Sequence, residues 1–242
     1  MRVAVICFIL GVIILPHMVW RLFNHRSPFA QFFLRASGWT AGARVTITGC
    51  PVRHNVLYIA NHLSWLDILI LSGETGTAFV AKADMESWPV FGWLADQHDT
   101  VYVKRENALE AKHQAAALQA ALVAGRPITL FPEGTTASGD ELLPFRSSLL
   151  AAVVPAPEGI SIQPIAIDYG SLAKSIAWTD RESVGKNALR IMSLSATIPV
   201  TLHFLDPLDH ADFDDRKAIT AHSRDRIAAA LGFTDRNEDR LF

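Results

Sequence analysis

The distribution of apolar residues changes near residue 43. Before it the apolar runs are long, and after it short apolar runs alternate with stretches that have helical spacing. Alternating strands and helices predict α/β layers around a mostly parallel or mixed central sheet, with helices on both faces. The clearest strands are Val56–Ala60, Ile128–Phe131, Ile160–Ile167 and Pro199–Leu205, and the clearest helices are Glu86–Gln97, Asn107–Ala124 and Arg216–Leu231. Ser171–Met192 has no clear period, and we interpret it as a mobile loop or lid.

The N-terminal segment is apolar enough to enter a membrane. Val3–Leu15 carries no charge and ends at Pro16. As a helix this run spans about 20 Å, which is short of a bilayer core of about 30 Å. A helix that continues to Phe23 with a kink at the proline would be long enough. A second apolar group, Phe29–Leu34, leaves two arrangements open: one kinked span, or two helices inserted into one leaflet.

Positive charges flank this apolar segment on both sides. Arg2 precedes it, and Arg21, Arg26 and Arg35 follow it, a distribution that favours both ends on the cytoplasmic side. A cleaved signal peptide is the alternative, with Arg2 as its charged start. No small-residue cleavage site follows the run, so we expect a retained anchor.

Composition narrows the function classes. The 242 residues are 50% hydrophobic and 19% charged, with a net charge of -2 and a mean hydropathy of +0.22. This balance does not suit nucleic-acid binding, which needs a basic surface. Two distant cysteines, Cys7 and Cys50, give no disulfide framework and fit a reducing compartment. We divide the chain into a membrane-anchoring segment, 1–38, and one domain, 39–242.

His62 and Asp67 are the first candidates for chemistry, because they directly follow a predicted buried strand. A histidine can exchange a proton near neutral pH, and a carboxylate can orient its ring. On a regular helix, positions five apart are about 140° apart, so the intervening backbone must turn if the two residues act together. The alternative is a helix N-cap at Asn61 or Ser64 with an incidental histidine.

Three other strand ends or turns carry candidate ligands. Lys104 and Arg105 end a short predicted strand, and an arginine fork suits a phosphate. After Ile128–Phe131 comes a Pro-Glu-Gly-Thr-Thr turn, where Gly134 permits close backbone approach to a ligand and Glu133 can accept hydrogen bonds. The apolar strand around Pro164 is interpreted as structural, with a strand start or bulge at the proline.

The order of these blocks resembles the glycerolipid acyltransferase family, and more narrowly the 1-acylglycerol-3-phosphate acyltransferases. The resemblance covers Ala43–Pro207 and rests on four blocks in order. They are Asn-His-x-Ser-x-x-Asp at 61–67, Tyr-Val-Lys-Arg at 102–105, Phe-Pro-Glu-Gly-Thr at 131–135 and Gln-Pro-Ile-Ala at 163–166. It implies a single acyltransferase domain in which His62 is the general base and Asp67 its orienting carboxylate. Arg105, beside Lys104, becomes the phosphate ligand of the acceptor.

The resemblance also assigns the acceptor-binding turn. Glu133 and Gly134 belong to it, with Thr135 as a helper. Many relatives have arginine at the next position, where this chain has Thr136. That difference removes one cation, and we predict, apart from the resemblance, that Arg146 replaces it.

The implied reaction moves an acyl group from a thioester to a lysolipid hydroxyl without a metal or other cofactor. Acyl-CoA or acyl-carrier protein is the co-substrate. The first candidate acceptor is 1-acyl-sn-glycerol-3-phosphate, which gives phosphatidic acid, and the alternative is a phosphate-free acceptor such as lyso-ornithine lipid. The expected partners are therefore these substrates and membrane lipids, and the expected location is the cytoplasmic face of a membrane, the inner membrane if bacterial.

Three alternatives differ in chemistry from direct transfer. A metal-dependent hydrolase needs a third ligand, and His98, His113 and His203 lack ligand-like spacing to the pair. A catalytically silent membrane-binding module would not need the intact motif residues. A covalent intermediate on Ser64 is the third alternative, whereas the resemblance implies direct transfer.

Overall fold

The computed structural model describes residues 1–23, 27–82, 101–103, 108–154, 156–179, 182–209 and 215–233. Seven strands in these ranges form one sheet in the order β1-β7-β6-β2-β5-β3-β4. The strands β1 to β7 are Ala43–Gly49, Val56–Ala60, Ala78–Lys82, Val101–Val103, Ile128–Leu130, Ser161–Asp168 and Ile198–Phe204. The described helices, α1 to α7, are Arg2–Arg21, Pro28–Ala41, Trp65–Thr75, Ala108–Val123, Ala173–Ile176, Val184–Ser193 and Arg216–Leu231. The predicted helix Glu86–Gln97 lies outside the described residues.

Helices cover both faces of the sheet, as an α/β fold requires. All five residues of β2 are buried. Tyr58 packs with Leu66 and Ile70 of α3 on one face, whereas Leu57 packs with Leu118 of α4 on the other. Because both faces of this strand are covered, its sequence is a continuous apolar run. The predicted fold class, a mixed sheet between helical layers, is confirmed.

Three neighbouring parallel strands end at the same edge of the sheet. β2 pairs in parallel with β5 on one side and with β6 on the other, whereas β7 is antiparallel to β6. The residues that follow β2, β5 and β6 therefore meet in one place. This topology brings together stretches of chain that are far apart in sequence.

Pro164 lies inside β6 and not at its start, and the pairing with β2 runs through it in continuous register, with Pro164 opposite Ile59. The carbonyl of Pro164 accepts from the N–H of Leu205, so this side of the residue faces β7. The β6–β7 pairing begins only at Ile165, which pairs with Phe204, the last residue of β7. Pro164, which has no N–H to donate, therefore lies beyond the end of the paired region. A proline is tolerated in this interior strand because no ladder hydrogen bond is lost.

The two N-terminal helices form a pair against the domain. α1 continues through Pro16 to Arg21 as one helix, long and apolar enough to cross a membrane by length and composition. α2 approaches α3 so closely that a Cβ added to Gly73 would lie 2.7 Å from the Arg35 Cα. The Arg2 guanidinium donates to the Ala41 carbonyl at 2.8 Å, which ties the start of α1 to the end of α2.

The described part of 171–192 is folded, so its interpretation as a mobile loop or lid is wrong. It contains α5 and most of α6, and both Ile176 and Ile191 are completely buried in the core beside the sheet. Asn187 of α6 is also buried, and its Oδ1 accepts from the Trp65 indole at 2.9 Å. The two helices are only 4 and 10 residues long and are separated by a non-helical segment, so no single helical period runs through the whole stretch.

Candidate active site

His62 and Asp67 form the predicted hydrogen bond. The imidazole Nδ1 lies 2.9 Å from Asp67 Oδ2. Ser64 is extended and caps α3, so Asp67 occupies the third helical position, and the chain from His62 to Ser64 turns back over the helix start. The helix-cap interpretation and the catalytic one therefore describe the same turn. His62 is 15% exposed, and its Nε2 has no partner in the part of the chain that the structure describes.

Four donors converge on the buried Asp67 carboxylate. Oδ2 accepts from the His62 ring and from the backbone N–H groups of Leu63 and Ser64, at 2.7 and 2.9 Å. Oδ1 accepts from the hydroxyl of Tyr169 at 2.5 Å. Asp67 is 0% exposed, so these donors take the place of water around a buried charge. The carboxylate is thereby fixed in position and orients the imidazole.

Glu133 supports the His62 turn from the end of β5. Its Oε1 accepts from the His62 backbone N–H at 2.7 Å, and its Oε2 accepts from the Leu143 N–H at 3.1 Å. Burial raises the pKa of Glu133 to about 8, against the lowering effect of these two N–H donors. Since both oxygens are engaged and the residue is 1% exposed, Glu133 positions the His62 backbone. Its predicted contact with an acceptor stays a prediction.

An aromatic stack holds the imidazole from the side. The rings of His62 and Phe131 are stacked at 4.0 Å between centroids and 11° between planes. Phe79 continues the stack on Phe131 at 5.5 Å. The ring of His62 is thus constrained by a hydrogen bond at Nδ1 and by a flat apolar surface, which leaves Nε2 as its reactive atom.

Backbone contacts join three loops around this histidine. The Asn61 side chain exchanges two hydrogen bonds with the backbone of Ile167, which fixes the turn to the end of β6. Trp178 donates its N–H to the Leu63 carbonyl at 2.8 Å, and its own carbonyl accepts from the Thr136 hydroxyl. Thr136 therefore joins the 177–178 segment to the turn after β5.

The acceptor-binding residues are brought together only in part. Gly134 has a φ of +73°, a conformation that favours glycine, and a Cβ there would lie 3.3 Å from Leu149 and 3.8 Å from Arg146 Cδ. Arg146 and Thr135 are exposed beside this turn. Arg146 therefore lies beside the turn, and its contact with an acceptor remains a prediction. Lys104 and Arg105 follow β4 and lie outside the described residues.

Tyr169 and Trp178 are the site residues that sequence reasoning missed. Tyr169 comes directly after β6, at the same sheet edge as His62. Its position just after a predicted strand is the feature of the sequence that could have identified it as a site residue. Trp178 carried no signal, because its role comes from backbone groups whose partners are distant in sequence.

Comparison with known proteins agrees with this geometry. The sequence profile of the Acyltransferase family matches residues 43–168. A Lyso-ornithine lipid O-acyltransferase of Rhizobium meliloti (strain 1021) is 32% identical over 237 residues, with 92% of this chain and 81% of the relative covered. A 1-acyl-sn-glycerol-3-phosphate acyltransferase of Neisseria gonorrhoeae is 30% identical, covering 74% and 70% of the two chains. The chain belongs to the acyltransferase family, and it is an acyltransferase.

A solved structure supports the fold. The 1-acyl-sn-glycerophosphate (LPA) acyltransferase of Thermotoga maritima matches with a TM-score of 0.66 and 18% identity, covering 96% of this chain and 89% of the other. The resemblance inferred from the ordered motifs is therefore confirmed at the level of family and fold.

Proposed function

We propose that this enzyme transfers a fatty acyl group from a thioester to the free hydroxyl of a lysolipid, with His62 as general base. The observation that carries the proposal is the His62–Asp67 hydrogen bond of 2.9 Å, which leaves Nε2 free to accept a proton. The family gives the reaction class, and the hydrogen-bond geometry supports the roles that the resemblance implies for His62 and Asp67.

The proton moves through His62 in two stages. The acceptor hydroxyl gives its proton to Nε2 as its oxygen attacks the thioester carbonyl. Asp67 stabilises the imidazolium that forms, and the C–S bond then breaks. The departing sulfur takes the proton from His62, which returns to its neutral form. General-base assistance of this kind contributes about 10²–10⁴-fold to the rate.

The environment of Ser64 supports direct transfer without an acyl-enzyme. Ser64 is 0% exposed, and its Oγ accepts from the Leu66 N–H at 3.4 Å as the cap of α3. A nucleophile needs both access to the thioester and an adjacent base. In the described residues, Ser64 Oγ is hydrogen-bonded to the Leu66 N–H, and no hydrogen bond joins it to His62 Nε2.

Two acceptors fit different observations. A phosphate-bearing acceptor, 1-acyl-sn-glycerol-3-phosphate, fits the Lys104–Arg105 pair and the Neisseria relative. Lyso-ornithine lipid fits the Rhizobium relative and a second relative of that name from Rhodobacter capsulatus, 31% identical over 197 residues, with 79% of this chain and 71% of the relative covered. It also fits the Thr136 hydroxyl, which is directed to a backbone carbonyl and supplies no cation.

A turnover assay with paired substrates tests the proposal. Purified protein is given lyso-ornithine lipid or 1-acyl-sn-glycerol-3-phosphate, each with acyl-CoA or acyl-carrier protein, and the acylated lipid is measured by mass spectrometry. We expect His62→Ala to abolish product with every pair, whereas the control His203→Ala, on a different strand, retains activity. Near-normal turnover by His62→Ala would contradict the mechanism. The preferred pair identifies the headgroup and the donor.

The N-terminal helix pair supports a membrane location for this reaction. Only 11% of the apolar window of α1 is buried, and Phe8 and Leu15 are exposed at 71% and 70%. Arg2 holds the start of α1 beside the end of α2. The arginines on either side of the apolar run favour entry of the helix pair from the cytoplasmic face. Membrane insertion would place the site next to its lipid substrates.

Two native cysteines test this arrangement. Cys7 lies exposed on α1 and Cys50 lies exposed after β1. With liposomes present, a membrane-impermeant maleimide is expected to label Cys50 but not Cys7, and detergent should restore labelling of Cys7. Equal labelling of both cysteines in liposomes would exclude insertion of α1.

A further inference from the structure

Tyr169 completes the surroundings of the Asp67 carboxylate. Asp67 Oδ2 has three donors, whereas the phenol of Tyr169, at 2.5 Å, is the one donor to Oδ1 in the described part of the chain. Both residues are buried, at 2% and 0% exposed. Without the phenol, one oxygen of a buried carboxylate would have no partner there.

The placement of Tyr169 is fixed by the sheet. It follows the last residue of β6, whose neighbour β2 leads into the His62 turn. Asn61 pairs with Ile167 through two hydrogen bonds, at 3.0 and 2.8 Å, so the distance between the two strand ends is set two residues before the tyrosine. The phenol is therefore held against Asp67 by the backbone of two strands.

We propose that Tyr169 is a positioning residue that controls how strongly Asp67 attracts the proton on His62. A donor to Oδ1 draws negative charge away from Oδ2, the oxygen that faces the imidazole. The inference rests on the proposed function, in which His62 takes a proton from the acceptor. It adds a third member to the His62–Asp67 pair, opposite the reactive nitrogen.

The phenol acts only as a donor in this arrangement. Burial, with the adjacent Asp67 charge and its hydrogen bond, raises the pKa of Tyr169 well above its usual value, so the hydroxyl keeps its proton. The ionisable groups that face the pair in the described residues are few. Glu133 approaches through the His62 backbone N–H, and Arg224 of α7 acts on Glu133 from beyond it. The hydrogen bond to Oδ1 comes from Tyr169 and from neither of these two groups.

Tyr169→Phe removes the hydroxyl and keeps the ring. With more charge left on Asp67 Oδ2, protonation competes more strongly with catalysis, so the acidic limb of the kcat/KM profile should move up by about 0.5–1 pH unit, an ordinary size for a change in environment. We expect kcat/KM at its optimum to fall about 10-fold, because the carboxylate loses the hydrogen bond that fixes its orientation toward the imidazole, and this loss outweighs the stronger attraction for the imidazolium. A purely structural role would lower the Tm without moving this limb.

A matched control is Tyr58→Phe. Tyr58 is also buried, and its hydroxyl donates to the backbone carbonyl of Val52, near the start of β2 and away from the site. This variant should lose stability but leave the limb in place. In an Asp67→Asn background, Tyr169→Phe should change the rate by less than about 2-fold, because the negative charge through which Tyr169 acts on His62 is already absent.

Replacement of Tyr169 by 3-fluorotyrosine covers the case in which Tyr169→Phe does not fold. Its more acidic phenol donates more strongly, so the limb should move to lower pH. An unmoved limb in a folded variant, or a limb that moves in the opposite direction, would overturn the assignment. Failure of His62→Ala to lose activity would instead overturn the proposed function, so the two failures are distinguishable.

Discussion

The sharpest test of the site is Asp67→Asn, which removes one negative charge with little change in shape. An asparagine oxygen can still accept from His62 and from the Leu63 and Ser64 backbone, while its amide donates to the Tyr169 oxygen. The turn should therefore keep its geometry. What is lost is the attraction between the carboxylate and the imidazolium that forms during transfer.

The separation between the two groups gives the size of this loss. At 2.9 Å and an effective dielectric constant of about 20, a full pair of charges gains about 6 kcal/mol. With the proton half transferred in the transition state, about 3 kcal/mol is relevant, so kcat should fall by about 10² at about 1.36 kcal/mol for each factor of ten, and by about 10⁴ if the proton is fully transferred.

The assay is steady-state acyl transfer with both substrates saturating, followed across pH. We expect KM values within about threefold of the parent, because Asp67 is buried behind His62 and does not face the substrates. Asp168→Asn is the matched control. Asp168 lies 3.9 Å from His203 and is 40% exposed, so the loss of its charge should change kcat little. A fall of less than about fivefold in folded Asp67→Asn would refute the electrostatic role.

Three further predictions concern the surroundings of the site. Burial raises the pKa of Glu133 to about 8, so the folded protein binds this proton more tightly than the unfolded chain, and stability should fall as the pH rises from about 4.5 to 8. Glu133→Gln should remove this dependence of Tm on pH. An equal dependence of Tm on pH in the parent and the variant would contradict the prediction. Arg146→Ala should raise the KM of the acceptor about 3- to 10-fold, the size of one exposed charge contact. Arg53→Ala, near the opposite sheet edge, is the control. Equal KM values for both variants would argue against a contact between Arg146 and the acceptor. Gly73→Val should lower the Tm by several degrees, since even a Cβ would meet the Arg35 backbone at 2.7 Å, and an unchanged Tm would mean that α2 and α3 separate at low cost.

The order of elements and the reactive pair were largely predictable from the sequence. β2, β5, β6 and β7 lie close to their predicted bounds, because buried parallel strands appear as continuous apolar runs. The requirement that the backbone turn between His62 and Asp67 followed from their spacing of five, and the cap at Ser64 is how the chain meets it. Local sequence carries both signals.

The partners of the pair were not predictable in the same way. Glu133 was expected near the acceptor, yet its two oxygens accept from the backbone of His62 and Leu143, 71 and 10 residues away. The weak periodicity of 171–192 also concealed α6, whose buried Asn187 contacts α3. Contacts between a side chain and distant backbone groups leave no periodic trace in the sequence.

By itself, the sequence determined the fold class, the family and the residues that we propose carry the reaction, because apolar period and motif order are local properties. The tertiary structure decided what surrounds those residues. Parallel pairing of β2 with β5 and β6 brings His62, Glu133 and Tyr169 to one sheet edge, although 107 positions separate the first from the last in the chain. The Asp67 carboxylate is buried there and needs donors in place of water, and only the folded chain specifies which groups supply them.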